Sequence, residues 1–254
     1  DKIVVFDRDV VTGELAYAST CHLRLSILDG PHPYDLSISS DGTSLYASGK
    51  DNLGLGVYQR NPATGAIVEV QRISGSTIRD HALSGDGEYL YASISSPPGV
   101  AMYSRDTATG LLTEVGQVDN SGLWWTASAK PNWITISPDG TWAYIATFAS
   151  GTLQVFTRDT LTGELSWART VTLAGLGVGD QMTSATTCTM SADGERFFIS
   201  DGGTDAVGVF ARDAATGSLS AVDVVRRNVD GVERLDGPGP VTLSADGAYA
   251  YVAG

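Results

Sequence analysis

Two short phrases alternate five times along 254 residues, and together they predict an all-β fold, a five-bladed β-propeller of four-stranded antiparallel blades. The first phrase is Asp41-Gly-Thr-Ser-Leu-Tyr46, repeated at Asp86–Tyr91, Asp139–Tyr144, Asp193–Phe198 and Asp246–Tyr251. The second runs from Arg8-Asp9 to Thr12-Gly13, and recurs at Arg60–Gly65, Arg105–Gly110, Arg158–Gly163 and Arg212–Gly217. The glycines of the first phrase lie 45, 53, 54 and 53 residues apart, a period that suits one four-stranded blade. The third observation is the phase of the two ends, which places a half-blade at each.

Each blade reads in the same order. An inner strand alternates small and apolar residues, as in Leu36-Ser-Ile-Ser39, Ile134-Thr-Ile-Ser137 and Val241-Thr-Leu-Ser244. A Ser-x-Asp-Gly turn ends it, with Gly supplying a positive φ and Asp bonding its own turn backbone. The second strand follows, Leu45–Ser48 or Tyr144–Thr147. A connection of variable length leads to the third, Thr152–Phe156 or Val207–Phe210. The Arg-Asp-x-x-Thr-Gly turn then feeds the outer strand, such as Glu164–Trp167. The repeats run about 16–67, 68–112, 113–165 and 166–219, with 220–254 completed by 1–15. The first strand, Lys2–Phe6, is a third strand, and the chain stops just after a second strand, Ala250–Ala253. Reading Gly254 into Asp1 restores the pattern, so residues 2–6 are expected to pair with 249–253 and close the ring of a single domain.

Charge and composition narrow the partners. The net charge is −13, with three Lys against 13 Arg, which argues against nucleic acid, since that needs a basic face. No run approaches the roughly 18 apolar residues of a membrane span. Cys21 and Cys188 sit about three repeats apart and are expected as free thiols. No metal-ligand spacing is present, so neither metal nor cofactor is expected. The chain reads as a monomer with a hydrated acidic surface, extracellular or at the cell surface, with the cytoplasm as the alternative. Its start at Asp1 reads as a processed product or a segment of something longer.

Residues present in every repeat are expected to be structural. Tyr46, Tyr91, Tyr144, Phe198 and Tyr251 form one aromatic column, and Phe6, Tyr58, Tyr103, Phe156 and Phe210 another. Both are expected between blades. Arg8, Arg60, Arg105, Arg158 and Arg212 are expected to make repeated surface contacts, each worth at most about 1 kcal/mol.

Function is then expected where the repeats differ, on the loops entering the inner strands. Asp35 and Asp80 align with each other one step nearer the channel mouth than Leu36 and His81. With His32, Arg79 and Arg226 they could bind or hydrolyse a small polar substrate, a carboxylate or His acting as general base. His81 occupies a blade-packing position and is expected buried and hydrogen-bonded, while His22 falls near the rim. Trp124, Trp125 and Trp133 could stack on a sugar ring or dock a protein, or could bury one another. Tyr34, Asp180 and Arg234 complete the candidate ligand-binding set. The Asp201-Gly-Gly-Thr-Asp205 run could hold a cation but reads as an ordinary strand connection.

The Ser-Pro-Asp-Gly-x-x-x-Tyr-Ile-Ala run at 137–146, with Val-Phe-x-Arg-Asp-x-x-Thr-Gly-x-Leu at 155–165, resembles the lactonase-type propellers. These include the bacterial 6-phosphogluconolactonase-like proteins and the related Tyr-Val-Thr-Asn surface-protein repeats. The resemblance extends over nearly the whole chain and implies a propeller and a lactone or ester hydrolase. Members have seven blades, whereas this chain has material for five, and no catalytic residue of the family maps onto a position here. Two functions follow: a module binding a small molecule, glycan or protein through the variable face, read first, and a lactone hydrolase, read second.

Overall fold

The computed structural model describes residues 2–22, 33–49, 54–119, 130–147 and 150–254. Twenty strands and no helix occur among these residues, so nothing helical is long and apolar enough to cross a membrane. Four complete antiparallel sheets follow one another along the chain. The first blade is β3 (Pro33–Ile38), β4 (Ser44–Gly49), β5 (Gly54–Arg60) and β6 (Ile67–Ile73). The second is β7 (Ile78–Leu83), β8 (Tyr89–Ser95), β9 (Pro98–Arg105) and β10 (Leu112–Val118). The third is β11 (Pro131–Ile136), β12 (Trp142–Thr147), β13 (Thr152–Arg158) and β14 (Leu165–Thr172). The fourth is β15 (Thr187–Met190), β16 (Arg196–Asp201), β17 (Ala206–Arg212) and β18 (Leu219–Arg226). Blade boundaries thus fall in the entering loops, and each outer strand belongs to the sheet before it.

The chain ends differ from expectation. β1 (Lys2–Arg8) pairs with β2 (Leu15–His22), and β19 (Thr242–Leu243) pairs with β20 (Ala250–Tyr251), in two separate sheets. Residues 2–6 and 249–253 form no common ladder among the described residues. Their aromatic columns accordingly stand open: Phe6 is 51% exposed and Tyr251 59%, whereas Tyr46, Tyr91, Tyr144, Phe156 and Phe210 are fully buried. Repeat phase says which strand type falls at each end. It is the same for a ring of any size, which is why it could not say whether the ends meet.

The recurring turns show why the phrases repeat. In each Ser-x-Asp-Gly turn the Asp carboxylate accepts the N–H two residues on, as Asp139 does from Thr141 at 3.0 Å, and the Ser hydroxyl donates to the same carboxylate. Gly217 needs its lack of a side chain twice. Its φ is +64°, and a Cβ there would collide with the Trp142 ring of the third blade.

The recurring arginines correct the surface reading. Arg105, Arg158 and Arg212 are only 6, 4 and 8% exposed. Each crosses to the preceding blade. Arg158 donates through Nε to the Tyr91 hydroxyl at 2.5 Å, through Nη1 to the Gly140 carbonyl at 3.0 Å, and through Nη2 to Asp86 at 3.2 Å. Arg105 repeats this with Tyr46, Gly87 and Asp41, and Arg212 with Tyr144, Gly194 and Asp139. The tyrosine in turn donates to the glycine carbonyl of the Thr-Gly turn that follows, Tyr91 to Gly163 at 2.9 Å. A guanidinium with three paired edges, buried between sheets, is a staple rather than a rim contact. Arg60, half-buried, keeps only the bond to the Gly42 carbonyl among these contacts.

Candidate functional site

The inner strands differ in chemistry while sharing one irregularity. Pairing shifts between Pro33 and Asp35 in β3, between Ile78 and Asp80 in β7, and between Pro131 and Trp133 in β11. Tyr34, Arg79 and Asn132 are therefore the extra residues of three equivalent bulges, and a bulge re-aims the side chains beside it. The Arg79 guanidinium lies 5.2 Å from the centroid of the Tyr34 ring, a cation–π contact between neighbouring blades.

Past the bulge, alternation puts Asp35 and Ser37 on one face of β3, toward the second blade. His81 of β7 meets them. Its Nε2 lies 2.7 Å from the Ser37 hydroxyl, and its Nδ1 lies 3.1 Å from Asp35 Oδ2 and 3.1 Å from the Ser48 hydroxyl. The imidazole is buried, and that burial lowers its pKa below the ordinary histidine value, with the Asp35 charge opposing only in part. His81 is thus neutral at pH 7. Beside a carboxylate the stable tautomer carries its proton on Nδ1, which donates to Asp35 and leaves Nε2 to accept from Ser37.

Asp80 sits next to this group and is 3% exposed. Its Oδ2 accepts the Ile134 N–H of β11 at 2.7 Å. Burial, and then the charge of Asp35, push Asp80 well above the usual carboxylate range. Burial thus favours the protonated form of Asp80. Asp35 keeps 22% of its side chain in solvent, so the cluster has an open side.

The expected residues divide accordingly. Tyr34, Asp35, Arg79 and Asp80 come together, and His81 is buried and bonded as expected. Trp133 is half-buried and packs against the apolar cluster between the third and fourth blades. Asp180 is exposed in the turn after Leu173. Arg226 ends β18, paired with Ala206, and Arg234 lines an apolar cavity of about 290 Å³ with Phe198, Val207 and Tyr251. His32, Trp124 and Trp125 lie outside the described residues, as does the side chain of His22. Asp201 is closed to any cation by the N–H groups of Thr183, Ser184, Gly203 and Thr204, which it accepts in full burial. No group of three or more His, Cys, Asp or Glu is placed to hold a metal among the described residues. Both cysteines are free thiols.

Sequence reasoning missed Ser37. It looked like one more small residue of an alternating strand. The available signal was its spacing: two residues from Asp35, hence the same face, in a column whose other members are Ala82, Thr135, Thr189 and Thr242.

The family model described as "Lactonase, 7-bladed beta-propeller" matches residues 1–125, 80–178 and 126–254. No curated protein matches the chain. Among solved structures, a protein from Lactobacillus plantarum superposes with a TM-score of 0.73 at 22% identity, over 89% of this chain and 65% of its own. A putative 6-phosphogluconolactonase from Bacteroides fragilis gives 0.72 at 20%, over 89% and 65%. The periplasmic gluconolactonase of Pseudomonas aeruginosa gives 0.71 at 20%, over 89% and 63%. The chain therefore spans about two thirds of the length of these structures.

Proposed function

This chain belongs to the lactonase family of seven-bladed β-propellers, and we propose that it opens a lactone ring by hydrolysis at the seam between its first and second complete blades. The observation that carries the reading is the Asp35–His81 pair at 3.1 Å, with a neutral imidazole whose Nε2 is free to take a proton. Lactone opening needs a base to activate the attacking oxygen and an acid to protonate the departing ring oxygen. Asp35 orients His81 and stabilises the imidazolium that forms when it takes the proton, and that proton then goes to the ring oxygen. Asp80, buried beside this pair and bonded to the Ile134 N–H, is a positioning residue.

Two structural neighbours are named for gluconolactone and 6-phosphogluconolactone chemistry. We therefore assign a sugar-acid lactone as the substrate class. Arg79, half-buried and stacked on Tyr34, is a cation beside the cluster suited to anchor a hydroxyl-rich or anionic substituent. The binding-module reading has no comparable support: of the residues that suggested it, Trp133 packs on an apolar cluster, and Trp124 and Trp125 lie outside the described residues.

The test is pH-stat titration against sugar and aliphatic lactones, with Asp35→Asn and Asp80→Asn beside the parent protein. We expect turnover above the spontaneous rate and a loss of about a hundredfold or more in Asp35→Asn. A panel with no turnover, or turnover indifferent to Asp35→Asn, would refute the assignment.

A further inference from the structure

We infer that Ser37 is the nucleophile of this site and carries the acyl group as a covalent ester, in a Ser37–His81–Asp35 relay. The inference rests on the hydrolase reading above and deepens it. The geometry is that of a nucleophile, a base and an orienting carboxylate in series: hydroxyl to Nε2 at 2.7 Å, Nδ1 to carboxylate at 3.1 Å. Such a set is recognised by roles and distances rather than chain order. Here strand alternation supplies Asp35 and Ser37 two residues apart on β3, and the next blade supplies the base.

The repeat gives an internal control for each member. Ser48 also touches the imidazole, but its counterparts Ser93 and Ser200 donate to backbone carbonyls that lie further along the chain, those of Asn132 at 3.3 Å and Gly239 at 2.7 Å. Ser48 is therefore part of the scaffold. Ser37 has a different history. At the equivalent place on β11, Thr135 donates to the Cys188 carbonyl at 3.0 Å, with the Cys188 thiol 3.4 Å away. On β7 the position is Ala82. Of these seams, only the one between the first and second blades sets a hydroxyl against a ring nitrogen. Ser37 is itself half-buried, neither sealed in the core nor loose at the surface.

The chemistry balances. The Ser37 hydroxyl proton passes to His81 Nε2 as Oγ bonds to the lactone carbonyl carbon. The ring C–O bond breaks, and the ring oxygen takes the proton from Nε2, leaving a hydroxyacyl ester on Ser37. A water molecule then gives its proton to Nε2 and attacks the ester. The Ser37 oxygen leaves with that proton, and the product is the open hydroxy acid. Asp35 holds the imidazolium in both half-reactions, and no other reactant is required.

The experiment is covalent labelling of the parent protein with a fluorophosphonate, followed by intact mass and peptide mapping. Attack by Ser37 displaces fluoride and adds one phosphonyl group. We expect one adduct, on the Ser37 peptide, absent from Ser37→Ala and slowed about a hundredfold or more in Asp35→Asn. Ser37→Ala removes a single oxygen, and a melting curve matched to the parent shows that it folds. In parallel, lactone turnover is measured in Ser37→Ala. Lactone opening that survives undiminished in this variant overturns the relay while leaving the lactonase assignment standing. Labelling of Ser37 in a protein that opens no lactone leaves the relay standing and overturns the substrate class. A lactone-opening protein that takes no label at Ser37 overturns the relay.

Discussion

The seam between the first and second blades and the seam between the third and fourth are built on one plan and filled with different chemistry. At the turn-bearing end they match group for group: Arg105 with Tyr46 and Asp41 in one, Arg212 with Tyr144 and Asp139 in the other. At the inner strands they part. Where the first seam has Asp35, Ser37 and His81, the other has Trp133, Thr135 and Cys188. The tryptophan packs onto an apolar cluster that includes Met182, Val178 and Leu173, and the threonine and thiol satisfy each other locally. The blades repeat their buried arginine staples, and differ in the polar groups set at one seam.

The largest expected effect comes from the shared half of the plan. Arg212→Ala should destabilise by about 3 kcal/mol, because it leaves the Tyr144 hydroxyl and the Gly194 carbonyl without their buried partner. Arg105→Ala should cost about as much by denaturant unfolding, since the two staples are equivalent. A loss confined to one seam would break the equivalence. Next in size, Met182→Ala should cost about 2–4 kcal/mol by opening a cavity at a fully buried site in the apolar seam. Asp35→Asn should leave the melting temperature nearly unchanged while removing activity, and a large drop would make the polar seam structural.

Two carboxyls in neighbouring blades should respond to pH with opposite signs. Asp80 has its folded pKa raised by burial and by Asp35, so the folded state binds its proton more tightly than the unfolded state does. Its contribution is present in acid and is lost as pH rises above about 4 toward the raised value. Asp139 is lowered, by its bonds to Ser137, Arg212 and Thr141 against an opposing burial, so its contribution is present above about pH 4 and is lost on acidification. Asp80→Asn, which mimics the protonated form, should therefore gain on the parent as pH is raised from 4 to 8 in thermal melts. A variant that loses ground to the parent as pH rises would contradict the raised pKa of Asp80. Smallest, in native protein iodoacetamide should modify half-buried Cys21 and spare Cys188, whose thiol burial pushes up to about 12.

The repeat made the strands and the turns legible, because each depends on neighbours within a few residues, and the aromatic columns, because the same residue type recurs at the same place in each copy. The arginines were misjudged for a physical reason: Arg158 meets Tyr91 and Asp86 from 67 and 72 positions away, and local pattern carries no sign of that reach. Ring closure was over-read on the same account. In the site, Asp35 and Asp80 stood out because they align with each other near the channel mouth, and His81 was recognised as buried. Ser37 did not stand out, since serine fits the small positions of an inner strand whether or not an imidazole faces it. Only the juxtaposition of two blades distinguishes it from Thr135.

The central claim is that the polar seam, and not its apolar counterpart, performs the chemistry. Steady-state lactone turnover in Ser37→Ala and in Thr135→Val tests it most directly, because the two changes remove equivalent hydroxyls from matched positions. The account predicts turnover lost by about a hundredfold or more in the first and held within about twofold in the second. Equal losses in both, or a loss in Thr135→Val alone, would contradict it.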